Sequence, residues 1–160
     1  MCLNGESSPK ESAALAAEVL RRSGRLRLRV FGASMLPTLW PGDEVDLAGC
    51  SLRDAAPGEI IVAWRDGRFF LHRYLASHED GFLARGDAMP RPDPPYAADA
   101  CLGKVIAVKR AGQTAWVFLP ATPPNRALGL LLCYSRSARR LALKFHDHRG
   151  AQNELGDAAA

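Results

Sequence analysis

The spacing of apolar and polar residues changes period twice along this chain. From Pro9 to Ser23, the residues Ala13, Ala16, Val19 and Leu20 recur at helical spacing. Ser8-Pro9-Lys10-Glu11 reads as a helix start, with Ser8 as cap, Pro9 in the first turn and Glu11 closing a capping box. Gly24 predicts the end of the helix. The period then drops to two. Arg25, Arg27 and Arg29 alternate with Leu26, Leu28 and Val30, which predicts a half-buried strand with an arginine face. Gly32-Ala33-Ser34 interrupts it, and Pro37, Pro41 and Gly42 mark a turn-rich stretch. Short strands are predicted over Glu44 to Leu47, Ile60 to Trp64, Arg68 to Ser77, Phe82 to Arg85, Cys101 to Arg110 and Thr114 to Leu119. Asp66-Gly67 and Glu79-Asp80-Gly81 are turn signals, and the four prolines between Met89 and Tyr96 predict a stiff loop. After Pro120 the helical period returns. Ala121 to Pro124 reads as a linker, Asn125 as the cap of a helix through Leu143, and Gly150 to Ala160 as a tail.

Successive short strands without interleaved helices predict a mainly β fold, a coiled and partly closed sheet flanked by an N-terminal helix and a basic C-terminal helix. Three parts follow: residues 1–24 as an amphipathic helix, 25–120 as the β domain, and 121–160 as a basic helical segment and tail. At 160 residues and 48% apolar composition, the chain is long enough for one packed domain and too apolar for disorder.

Charge adds one feature. Between Arg136 and Arg149 lie five basic residues and one acid, a surplus equal to the net charge of +4. Such a segment reads first as a solvated helix face, and second as a surface for nucleic acid or anionic lipid. Cys2, Cys50, Cys101 and Cys133 are scattered, without the Cys-x-x-Cys spacing of a zinc or redox motif, and are expected as free thiols. No metal or cofactor is expected. The longest apolar run, Ala127 to Tyr134, is far short of the ~20 residues of a spanning helix. The polar stretch Met1 to Lys10 lacks the apolar core of a secretion signal. The location expected on these grounds is cytoplasmic, with peripheral contact at a membrane through the basic helix as the variant.

Three groups could carry chemistry. Ser34 lies between a strand end and a proline-containing turn, where a hydroxyl and its own backbone N–H can both be exposed, as a nucleophile and its oxyanion donor require. By itself such a serine more often caps a turn. His72 lies within a strand among Phe69, Phe70, Leu71 and Tyr74, a setting for a packed histidine or for a neutral general base. Asp87, after Gly86, and Asp93, in the proline-rich loop, are carboxylates that could orient the imidazole.

Taken together and in order, Ser34-Met35-Leu36-Pro37-Thr38-Leu39, Gly42-Asp43, His72-Arg73, Gly86-Asp87 and Asp93 resemble the signal peptidase I superfamily over about Val30 to Val108. Gly103-Lys104-Val105 resembles the strand that closes that family's catalytic region. Bacterial signal peptidases and LexA-type repressors carry lysine where His72 stands. The histidine is similar to the archaeal and endoplasmic-reticulum branch, whose aspartate lies six residues after that of Gly-Asp, as Asp93 does after Asp87. The resemblance implies the family's complex β-fold and a serine endopeptidase acting on a peptide or protein precursor through an acyl-enzyme. It implies Ser34 as nucleophile, His72 as base and Asp93 as orienting acid, with Asp87 in support. An apolar slot formed by Met35 and Leu36, beside Gly32, is expected to take the substrate's small side chains. Two departures stand out. The family's membrane anchor is replaced by an amphipathic helix, and Gly32 stands where signal peptidases carry a serine that assists the oxyanion hole. The competing readings are a LexA-like regulatory or binding module and an inactive peptidase-like scaffold. The short N-terminal region lacks an evident helix-turn-helix, so no nucleic-acid partner is expected.

Overall fold

The computed structural model describes residues 9–110, 116–117, 123–135, 137–138 and 140–144. Helix α1 spans Pro9–Ser23, as the pattern predicts. It ends where Gly24, at φ +68°, returns its N–H to the Leu20 carbonyl. Its buried stripe differs by one position from the predicted one. Ala17 and Leu20 enter the core, whereas Val19 is 40% exposed. The capping residue Ser8 lies outside the described residues.

Among the described residues, eight strands follow: β1 (Arg25–Arg29), β2 (Glu44–Gly49), β3 (Ile60–Arg65), β4 (Arg68–His78), β5 (Gly81–Arg85), β6 (Tyr96–Ala97), β7 (Cys101–Lys109) and β8 (Trp116–Val117). They form a mainly β architecture, a curled antiparallel sheet in the order β1-β2-β7-β3-β4-β5-β6, with β8 also on β7. The arginines of β1 face out, and Arg27 pairs with Asp46 on β2 at 2.9 Å. Strand β3 explains how one sheet serves two cores. Ile60 and Val62 point into a cluster with Leu20, Val45, Leu47 and Met35, while Ile61 and Ala63 point into one with Tyr74, Phe82 and Tyr96. A strand covered on both faces reads as a continuous apolar run rather than an alternating one, and Ile60-Ile61-Val62-Ala63 is such a run.

Strand β6 escaped the sequence pattern, because two residues cannot display a period. It forms where the proline loop returns and Phe82 pairs with Tyr96. The C-terminal region departs from its predicted form. Helix α2 spans Pro123–Tyr134, so Pro123 and Pro124 open the helix rather than link to it, as suits a first turn that needs no amide donors. It stops at Ser135, whose Oγ accepts the Ala138 N–H at 3.1 Å and so caps a new helical stretch seen at 137–138 and 140–144. The single helix expected to Leu143 is thus broken. Of its leucines, Leu132 is buried, against Leu36 and Ala88, while Leu128 and Leu131 are 44% and 57% exposed. The remaining flanks of the predicted strand from Thr114 to Leu119 and the tail lie outside the described residues.

Candidate active site

Ser34 is carried on an excursion of the chain between β1 and β2. The base of that excursion is closed by two backbone bonds, from the Val30 N–H to the Asp43 carbonyl and from the Gly42 N–H to the Val30 carbonyl. Asp43 is fully buried beneath it. Its carboxylate accepts the Trp40 N–H at 2.9 Å and is ion-paired with Arg110 at 3.4 Å. Arg110 also donates to the Thr38 carbonyl. A buried carboxylate with these partners holds the turn from the inside, and this is the local reason for the Gly-Asp pair at 42–43.

His72 enters from β4, opposite Ile61 on β3, and is 6% exposed. Its Nε2 lies 3.0 Å from Ser34 Oγ. On the other side of the ring, Nδ1 lies 2.5 Å from Asp93 Oδ2. Asp93 is held in place by its own N–H, bonded to the Ala84 carbonyl on β5. The hydroxyl of Tyr96 donates to the same carboxylate oxygen at 2.9 Å. Arg65 fixes the loop, donating to the Pro94 and Pro95 carbonyls at 2.7 Å each and lying 3.6 Å over the Tyr96 ring. Burial acts to push the Asp93 carboxyl up. The hydrogen bond and charge of His72, the Tyr96 hydroxyl and Arg65 outweigh it and hold the group below the usual carboxylate range. Burial, followed by the charge of Asp93, raises the Tyr96 phenol well above its ordinary value, so it remains a donor.

Asp87 does not reach the imidazole. It accepts from Arg73 Nε at 2.8 Å, from Arg73 Nη2 at 2.6 Å and from Thr38 Oγ1 at 2.5 Å. The pairing is explained by strand geometry: neighbouring residues of β4 point to opposite faces, so Arg73, and Asp87 with it, turns away from His72. The expected support for His72 is therefore indirect, through the position of the 86–88 loop. That loop touches the backbone of Ser34. The Ala88 N–H donates to the Ser34 carbonyl at 2.8 Å. A Cβ added at Gly86 would lie 2.5 Å from the same carbonyl and 3.1 Å from His72 Nε2.

The expected slot is only partly where the sequence reading puts it. A cleft of about 570 Å³ opens beside Ser34 and His72, and Gly32 and Met35 line it. Leu36 does not, because α2 covers it. It is fully buried against Ala88 and Leu132 and cannot meet a substrate. Gly32 is exposed at φ +93°, and no atom lies within 4 Å of where its Cβ would be. Among the described residues, the Ser34 N–H donates to no protein acceptor. Thr38, Arg65, Gly86 and Tyr96 were not assigned roles from the sequence. The signals for Thr38 and Gly86 were their places inside the two motifs. Tyr96 carried only its spacing of three from Asp93.

The thiols of Cys50, Cys101 and Cys133 are free. Burial, with the neighbouring Cys50, pushes the Cys101 thiol up to about 11, so at neutral pH it stays a thiol. No protein-family model matches the chain, and no curated protein matches it.

Proposed function

We propose that the chain is a serine endopeptidase of the signal peptidase type, in the branch that uses serine, histidine and aspartate, and that the curled sheet is that superfamily's fold. The observation that carries the reading is the continuous hydrogen-bonded chain from Ser34 Oγ through both ring nitrogens of His72 to Asp93. In support, the five motifs dispersed from Val30 to Val108 converge on the same small region. An ionised Asp93 accepting from Nδ1–H leaves Nε2 as the acceptor facing Ser34, which is the tautomer a general base needs.

The reaction then follows from the positions of the groups. Ser34 Oγ adds to the substrate carbonyl while its proton passes to His72 Nε2, and Asp93 stabilises the imidazolium. The C–N bond breaks as Nε2–H protonates the departing amine, leaving an acyl group on Ser34. Water, deprotonated by the same nitrogen, releases the acid. The Ser34 N–H is the oxyanion donor. Gly32 offers no hydroxyl, and since one donor is worth about 10²–10³ in rate, turnover is expected to be slow. Among the described residues, strand β1 ends the sheet, and residues 68–72 of β4 have β3 on one side while pairing to β5 begins only at Arg73. An extended precursor peptide would lie along these unpaired edges.

Peripheral membrane contact is proposed for the C-terminal helices, on the strength of exposed Leu128, Leu131 and Tyr134 and exposed Arg140 and Lys144. Among the described residues, no helix is long and apolar enough to cross a membrane.

The decisive experiment is covalent labelling with a fluorophosphonate. The wild-type chain should acquire one adduct, mapped to Ser34 by peptide mass spectrometry, while Ser34→Ala and His72→Ala remain unlabelled. Failure of the folded wild type to label would leave a binding module or an inactive scaffold as the better account.

A further inference from the structure

The cleft beside Ser34 is lined in part by helix α1. Ser12, Ala13 and Ala16 of the helix line the same space as Ser34, Met35 and His72. Leu28 and Val30 of the β1 arm and Phe69 and Leu71 of β4 supply the side walls. Helix α1 packs on both β1 and β4 and so bridges the strands that flank the opening.

Three properties set what this space accepts. Its volume, about 570 Å³, lies within the range of small-molecule sites, about 300–1,000 Å³, and far exceeds what a methyl side chain occupies. Its lining is mostly apolar: among the lining residues Arg29 alone carries a permanent charge, and Arg29 is exposed. The residues that α1 contributes to it are small. Ala13 and Ala16 are half-buried and present methyl groups, while the larger residues of the helix point elsewhere, Leu20 into the core and Leu15, 66% exposed, to solvent.

We infer that this cleft is a deep apolar subsite for the substrate residue on the acyl side of the cleaved bond. It takes a bulky side chain of the leucine or phenylalanine class, and Ala13 and Ala16 of α1 are its specificity-determining residues. The inference rests on the peptidase reading and goes further than the expectation of a slot for small side chains. A helix replaces strand residues as the gauge of side-chain size, so substrate choice is read in part by the N-terminal element.

The test uses diphenyl phosphonate analogues of alanine, leucine and phenylalanine on the full chain. In each, the Ser34 Oγ–phosphorus bond forms and phenol departs, protonated through His72. Wild type should be inactivated at least ~10-fold faster by the leucine and phenylalanine analogues than by the alanine one, the scale set by filling an apolar pocket. Ala16→Leu and, separately, Ala13→Leu should bring that ratio to one or below, because the added isobutyl group occupies the subsite. Leu15→Ala, on the outer face of the same helix, should keep the wild-type ratio. Equal or faster reaction of wild type with the alanine analogue would overturn the inference, as would an unchanged ratio in both filled variants. If a plain fluorophosphonate labels Ser34 while the bulky analogues do not, the subsite fails and the peptidase reading stands. If nothing labels Ser34, both fall.

Discussion

Asp87 and Asp93 lie six residues apart, and the fold gives them different work. Asp93 faces the imidazole, so Asp93→Asn should lower turnover of a cleavable peptide by up to ~10⁴, as loss of an orienting acid does in serine proteases, and far more than Asp87→Asn does. Asp87 forms a cluster with Arg73 and Thr38, its carboxylate 15% exposed. Asp87→Asn should act chiefly on stability, by on the order of 3 kcal/mol, since it leaves the Arg73 guanidinium without its counter-charge. Thermal unfolding and steady-state rates of the two variants separate these effects, and the reverse pattern would mean that the wrong aspartate has been placed on His72. Tyr96→Phe isolates one donor to Asp93. The native carboxyl is held below its usual range, so its ionised form favours folding. That contribution is complete above the unfolded carboxylate value of about 3.9 and is lost as pH falls through the lower native value. Removing the Tyr96 hydroxyl reduces the depression. The urea midpoints of wild type and Tyr96→Phe should therefore differ most near neutral pH and converge on acidification. No gap at any pH would show that Tyr96 contributes only its ring, stacked on Phe82, which phenylalanine keeps.

Between elements, the site depends on α2 as much as on strands. Leu132 fills the space over Leu36 and Ala88, directly behind Ser34 and the 86–88 loop. Gly129 lets the helix come so close that an added Cβ would lie 2.9 Å from the Asp87 carbonyl. Leu132→Ala should cost about 2–3 kcal/mol of stability by opening a cavity. Gly129→Leu should lift the helix and reduce fluorophosphonate labelling of Ser34 several-fold, without touching any group of the Ser34–His72–Asp93 chain. Unchanged labelling in a folded Gly129→Leu variant would detach α2 from the site. This dependence also explains what was legible beforehand. Strands with clear alternation, such as β1, or with a continuous apolar run, such as β3, could be read within a residue or two, because period and burial are local consequences of backbone geometry. The contacts of Ser34, His72 and Asp93 were legible only through motif order and spacing. The roles of Leu36 and Gly129 were not legible, because they depend on which surface a distant helix covers. Arg65 and Tyr96 were hidden for a similar reason: their partners are set by how the proline loop returns to β5.

On the scale of the whole molecule, the two helices sit on different walls of the same site. Helix α1 lines the cleft, and α2 backs the loops. The side chains of α2 outside that contact have no such task. Leu128 and Leu131 remain exposed, Tyr134 is 78% exposed, and the basic surplus of the sequence begins at Arg136. An apolar strip followed by positive charge is suited to the boundary of an anionic bilayer, with leucines at the acyl region and basic side chains at the headgroups. Each basic residue near such a surface contributes about 1 kcal/mol, and salt screens that attraction over about 10 Å at 0.1 M. The expected result is weak co-sedimentation with vesicles containing anionic lipid at low salt, loss of it at high salt, and none with neutral vesicles. Leu131→Asp should reduce the bound fraction at low salt, because it removes an inserting side chain and adds repulsion, while leaving fluorophosphonate labelling of Ser34 intact. If the protein stays in the supernatant equally with both lipids at both salt concentrations, the exposed leucines have no bilayer role. The basic stretch is then a solvated helix face.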